Sequence, residues 1–145
     1  MVFRPQSPHN LNIDTSSLHI NLNGHKIQEV KFTKFLGVTI DEYLSWKYHV
    51  NEIACKISKV TGVLNRLKSF LPLSVLVNLY NTMILPHISY CIVIWGKCAN
   101  YLLDRIFILQ KRAIRIITNS HFLTSTERLF LKLNILKVRD LYTFR

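Results

Sequence analysis

Three side chains have the types and spacing to hold a metal ion: His87, Cys91 and Cys98, with His87 and Cys91 four residues apart and so on one helix face. A closed zinc site wants a fourth ligand and paired short spacings, and neither follows here. The three therefore read as two buried thiols and a histidine beside a helix start, and His49 and His121 as capping or surface residues. Phosphoryl-transfer and nuclease chemistry needs two or three carboxylates converging on Mg²⁺. The 8 Asp and Glu residues are scattered through the sequence. Asp41-Glu42 is the one adjacent pair, and it reads as a solvated strand-to-helix turn helped by the helix dipole. No glycine-rich phosphate loop, nucleophile elbow or H-E-x-x-H is present. The sequence thus offers no catalytic set and no metal set.

The basic residues sort better. On one helical stretch Lys59 and Arg66 are seven apart, opposite an apolar stripe, with Lys56 on its flank. On another, Lys111, Arg112 and Arg115 cluster opposite Leu102, Ile106, Ala113 and Ile117. Two such faces in one body form a groove that takes up phosphates, each contact adding affinity and salt sensitivity. The plainer alternative is a solubilising surface, with Glu52 and Lys56 as a local i, i+4 pair.

The elements that must carry these side chains follow from period and composition. The chain has 145 residues, 49% of them hydrophobic, enough for one compact domain with a true core. With 4 Gly, 4 Pro and no low-complexity run, collagen-like, mucin-like and disordered classes drop out. Residues 1–43 hold Arg4, Lys26, Lys31 and Lys34 against Asp14, Glu29, Asp41 and Glu42 and are neutral, so the whole net charge of +11 belongs to the rest. Whatever meets an anion is there.

The neutral part reads as β after a loop over 4–17. Leu18, Ile20 and Leu22 alternate with polar residues, Asn23-Gly24 makes a tight hairpin turn, and Lys26-Ile27 returns. Val30 to Phe32 and Phe35 to Ile40 are extended, Gly37 marking a bulge or a close backbone approach. From Ser45, a plausible N-cap, the period becomes 3.6, with Val50, Ile53, Ala54, Ile57, Val60, Thr61, Leu64 and Leu67 inward. A second helix begins near Pro72 or Ser74 and carries Leu76, Leu79, Tyr80, Met83 and Ile84. Pro86 kinks it or opens a third, Ile88 to Trp95, ended by Gly96, and this stretch is apolar almost all round, as for a buried centre. Asn100 to Thr118 buries Leu102, Leu103, Ile106, Leu109, Ala113, Ile116 and Ile117. Thr124 to Glu127 forms a capping box for a helix ending near Asn134, and a last helix starts around Val138. The fold class is α+β, mainly α: an N-terminal hairpin and strand segment over 1–43, then a bundle of about five helices over 44–145.

The apolar run Met83 to Trp95 is too short and interrupted to span a membrane. No secretory signal is visible, and Cys55, Cys91 and Cys98, odd in number and in apolar surroundings, read as reduced thiols. An intracellular, nuclear or cytoplasmic protein without a membrane partner is the expectation.

Four segments taken together resemble one family. Phe35-Leu36-Gly37-Val38-Thr39-Ile40-Asp41 followed by Leu44-Ser45-Trp46 and His49 is similar to the segment after the palm in reverse transcriptases of non-LTR, jockey-like retrotransposons. Leu79-Tyr80 with Ile84 to Cys91 and Trp95-Gly96, then Leu109 to Ile117, then Leu133 to Leu136 follow in the family's order. The resemblance implies that Phe35, Leu36, Gly37 and Val38 match the primer-grip hairpin and that the helices match the thumb and the region after it. It also implies that a template-primer of RNA or DNA is the partner, held by its backbone with weak sequence preference. Lys59, Arg66, Lys111, Arg112 and Arg115, chosen by helical phase, are then phosphate contacts. The family's Mg²⁺-binding aspartates fall upstream of Met1, so the chain alone is expected to bind no cofactor and to be inactive as a polymerase, with its C-terminus a truncation. Its N-terminal β edge, Met1-Val2-Phe3 included, is expected to self-associate once separated from a palm. A basic helical protein-interaction module with no nucleic-acid role is the alternative, and it predicts no binding at low salt.

Overall fold

The computed structural model describes Met1, Phe3 and residues 20–144. The expectations for Val2, the loop over 4–17 and Leu18 lie outside these residues. The chain divides into two units, Met1–Trp46 and Lys47–Arg145.

The first unit is built on two hairpins. Strands β1 (Asn21–Leu22) and β2 (His25–Lys26) pair antiparallel across Asn23 and Gly24, both at positive φ (48° and 78°), as a two-residue type I′ turn requires. The Ile27 N–H extends the ladder to the Ile20 carbonyl at 2.9 Å. Strands β3 (Phe32–Phe35) and β4 (Val38–Asp41) pair in the same way, Phe35 opposite Val38, across Leu36 (φ 45°) and Gly37 (φ 78°). Gly37 is therefore not a bulge inside a strand but half of a turn. An expectation of one extended run from Phe35 to Ile40 overlooked this because leucine at positive φ is disfavoured and gives no turn signal.

After β4 the backbone winds around Asp41. Its carboxylate accepts the N–H groups of Tyr43 (3.1 Å), Ser45 (3.0 Å) and Trp46 (3.0 Å) and the Ser45 hydroxyl (3.2 Å). This corrects two expectations. Asp41 is 3% exposed, a buried organiser and not a solvated turn residue. Ser45 is bound into the Asp41 turn, and the first helix begins two residues later, past Trp46 at φ 63°.

The second unit holds seven helical segments among the described residues: α1 (Lys47–Leu67), α2 (Leu73–Met83), α3 (Leu85–Ser89), α4 (Ile92–Trp95), α5 (Asn100–Ile117), α6 (Glu127–Leu133) and α7 (Val138–Phe144). The unit centres on α1 and α5, packed along their length, with α2 against both and α7 against α3, α4 and α5. From α1 it buries Val50, Ile53, Ala54, Ile57, Thr61 and Leu64, close to the anticipated stripe, while Val60 and Leu67 are half-buried. Ile57, Ile106 and Ile114 are sealed from solvent, and each such side chain contributes about 1.5–3 kcal/mol relative to exposure.

Three further corrections concern these helices. Leu85 to Trp95 is two short helices, not one, because Cys91 adopts a left-handed conformation (φ 51°) between them. Nor is that stretch buried all round: Ile84, Ile88, Ile92 and Trp95 are sealed, but Met83, Tyr90, Val93 and Ile94 face solvent. Helix α6 begins at Glu127 itself, so Thr124 to Glu127 does not form the expected capping box: Thr126 is the N-cap, its side chain makes no capping bond, and Glu127 instead pairs with Lys137 at 2.6 Å.

Gly96 ends α4 under the ring of Tyr142 from α7. A Cβ there would collide with that ring and with the Ile92 carbonyl. The spot has room for backbone alone.

Candidate nucleic-acid interface

Helices α1 and α5 run in the same direction. At one end the Arg105 guanidinium donates to Asn51 Oδ1. At the other, Asn65 of α1 and Lys68 just past its end share a depression with Arg112, Arg115 and Ile116 of α5. The two helices meet along their apolar faces, and beside that seam lies a trough.

Its first part, about 380 Å³, is lined by Asn51, Ala54, Cys55, Ser58, Arg105, Ile108 and Leu109. A second part of about the same volume, 380 Å³, also begins at Ile108 and runs to Ser120 and Phe122. The α1 wall is formed by residues at helical spacing, Asn51, Cys55, Ser58 and Asn65, all small or polar. Gly62 falls in the same row, with nothing within 4 Å of where a Cβ would stand. Low side chains on α1 leave the space, and arginines on α5 supply the charge. Four cations, Arg105, Lys68, Arg112 and Arg115, line the trough, and among the described residues no carboxylate does.

Two of the four acids of the helical unit are paired elsewhere: Asp104 with Arg139 at 2.6 Å and Glu127 with Lys137 at 2.6 Å. Arg115 is positioned by its Nε, which donates to the Thr124 carbonyl at 3.0 Å. A surface of this kind can hold a chain of phosphates, because several cations act together where no counter-charge competes.

The structure divides the residues selected by helical phase. Arg112 and Arg115 line the trough. Lys111 lies on the other flank of α5, its Nζ 4.2 Å from the Phe107 ring centroid, and Phe107 stacks on Phe130 of α6 at 6.1 Å. Lys59 and Arg66 are exposed on α1, outside the residues that line the trough. Lys68 and Arg105 were missed. Arg105 stands seven residues before Arg112, on the same row of α5 two turns earlier, whereas Lys68 lies past the end of α1 and shares no row with Lys59 or Arg66. Phe35, Leu36, Gly37 and Val38 form the closed end of the β3–β4 hairpin, with Phe35 and Leu36 exposed and Val38 buried.

The other chemical candidates separate. Among the described residues no three His, Cys, Asp or Glu side chains gather as a metal site. Burial, and then the charge of Lys56, lower the His87 pKa and favour its neutral form. Burial raises the Cys98 thiol pKa. Cys55, expected in apolar surroundings, is exposed on the trough, and Cys91 is half-buried. His49, expected to cap or to face solvent, is buried edge-on to Trp95, ring centroids 5.9 Å apart.

The least anticipated polar group is Gln110, which is sealed from solvent. Its Nε2 donates to Tyr80 Oη (2.7 Å) and to the Leu136 carbonyl (2.8 Å), and its Oε1 accepts the Val138 N–H (3.0 Å). It ties α5 to α2 and to the start of α7. Burial pushes the Tyr80 pKa up to about 12, against a smaller lowering by Gln110.

Among described residues no helix is long and apolar enough to cross a membrane. No family model and no solved structure matches the chain. Curated proteins do. The chain is 26% identical, over 83% of its length, to the RNA-directed DNA polymerase from mobile element jockey of Drosophila melanogaster. It is 30% identical over 83% of its length to the probable RNA-directed DNA polymerase from transposon BS, and 29% identical over 74% to that from transposon X-element, both of the same organism. It spans 14% of the length of the first two of these relatives and 12% of the third.

Proposed function

We propose that this chain, similar to part of the jockey-type RNA-directed DNA polymerases, is the primer-grip and thumb portion of such an enzyme and holds a template-primer by its backbone. One observation carries the reading: Arg105, Lys68, Arg112 and Arg115 line a single trough that no described carboxylate shares. The β3–β4 hairpin, with its Leu36-Gly37 tip, is the primer-grip counterpart. The role assigned to these residues is grip. The metal-dependent chemistry belongs to the palm of the parent enzyme, whose aspartates would carry Mg²⁺.

The test is the salt dependence of binding. A fluorescein-labelled RNA–DNA hybrid titrated at several salt concentrations should give log K falling linearly with log salt. The four trough cations should contribute a slope of about −3 to −4, at roughly 0.9 per phosphate neutralised. Arg112→Ala with Arg115→Ala should flatten that slope by about 2 and leave the circular dichroism spectrum unchanged. Alkylation of Cys55, which lies on the trough, should slow when the hybrid is bound. No binding at low salt would overturn the reading and favour the protein-interaction alternative.

A further inference from the structure

The trough ends on an aromatic residue that backbone contacts alone do not explain. Phe122 lines the same depression as Lys68, Arg112 and Arg115, yet its side chain is 71% exposed. The His121 ring stands beside it, centroids 4.7 Å apart and planes tilted by 44°.

Phe122 is held in that position by its loop. The Thr124 N–H bonds to the His121 carbonyl (3.0 Å), the Ser120 N–H to the Arg115 carbonyl (2.9 Å), and the Thr118 and Ser120 hydroxyls to each other (2.8 Å). Arg115 fastens the far side through the Thr124 carbonyl. The same arginine therefore lines the trough and anchors the loop that presents the ring.

Resting on the backbone-binding reading, we propose that Phe122, flanked by His121, stacks an unpaired base, so that the trough takes single-stranded nucleic acid in preference to blunt duplex. A fixed aromatic face at the end of a cationic groove is how proteins hold single strands without reading sequence. The groove follows the phosphates, and the ring accepts any base because every base has a π face. A blunt duplex keeps its bases stacked on one another and offers the ring nothing. Ile108, exposed at the middle of the trough, gives the strand an apolar floor between the cations.

The experiment compares the whole chain with Phe122→Leu and Phe122→Trp, using a labelled 12-nucleotide oligouridylate, the matching oligodeoxythymidylate and a blunt RNA–DNA hybrid. Phe122→Leu keeps an apolar side chain but removes the π face. It should weaken both single strands on the order of tenfold and the hybrid less than about twofold, while Phe122→Trp restores single-strand affinity. Because Phe122 is exposed, neither variant should change the unfolding midpoint. A Phe122→Leu variant that binds single strands normally, or that weakens hybrid and single strand alike, overturns the stacking proposal. In either case an intact effect of Arg112→Ala with Arg115→Ala on the hybrid leaves the backbone-binding reading standing, and loss of that effect sinks both.

Discussion

Replacing Gln110 with leucine tests how the helical unit is held together. The substitution keeps roughly the same volume and removes three hydrogen bonds, to Tyr80, Leu136 and Val138. The Leu136 carbonyl belongs to an exposed residue and can turn to water. Tyr80 and Val138 are both sealed, so the tyrosine oxygen and the Val138 N–H stay buried without that partner. A buried polar group stranded in this way costs about 1–3 kcal/mol, so the pair should cost roughly 3–4 kcal/mol, a large fraction of the 5–15 kcal/mol that holds a typical domain. The Val138 N–H is also the first of α7, so the loss should concentrate at that helix. Urea unfolding followed by circular dichroism would measure the shift in midpoint, and hydrogen exchange would show whether residues 138–144 lose protection before α1. Tyr80→Phe removes one of the three bonds and should cost about 1 kcal/mol. A Gln110→Leu variant within 1 kcal/mol of the parent would refute the claim that this amide joins α2, α5 and α7.

Two further outcomes follow from packing and titration. Tyr80 has a folded pKa of about 12, above its value near 10 in the unfolded chain. The folded state thus favours the neutral phenol, and the associated stability, about 2–3 kcal/mol, is complete below pH 10 and lost as the pH rises from about 10 to 12. Unfolding midpoints should fall over that interval in the parent and stay flatter in Tyr80→Phe. Gly96→Ala should cost about 1–3 kcal/mol because its methyl meets the Tyr142 ring and the Ile92 carbonyl. Adding Tyr142→Ala should recover part of that loss, and strict additivity in the double-mutant cycle would show that the two residues do not meet.

How much of this was legible in the sequence depended on whether a residue's neighbours in the chain determine its role. The Asn23-Gly24 hairpin, the α1 stripe and the extent of α5 were readable because turn chemistry and period are local. Leu36-Gly37 was not, since tertiary structure imposes a positive φ that leucine avoids. Gln110 also escaped: on α5 it occupies a core position by phase, but only the placement of Tyr80, Leu136 and Val138 makes a buried amide tolerable there. The basic residues were legible as a set. Their division between trough and outer flanks was not, because it depends on which side of α5 faces α1. Arg112 and Lys111 are neighbours in the chain and lie on opposite flanks of one helix.

The parallel arrangement of α1 and α5 has a consequence for assembly. Asn51 and Arg105, which face each other across the trough, are 54 positions apart in the chain, and α2, α3 and α4 form the return path between them. Each wall is one helix, but the two come from distant parts of the chain, so a nascent chain has no trough until the whole crossover has docked. If the trough holds nucleic acid as proposed, occupancy and cooperative unfolding are thermodynamically linked: an oligonucleotide at a hundred times its dissociation constant would add about 2.7 kcal/mol to the global stability. On the proposed reading, any opening of the helical unit that parts α1 from α5 would release a bound strand.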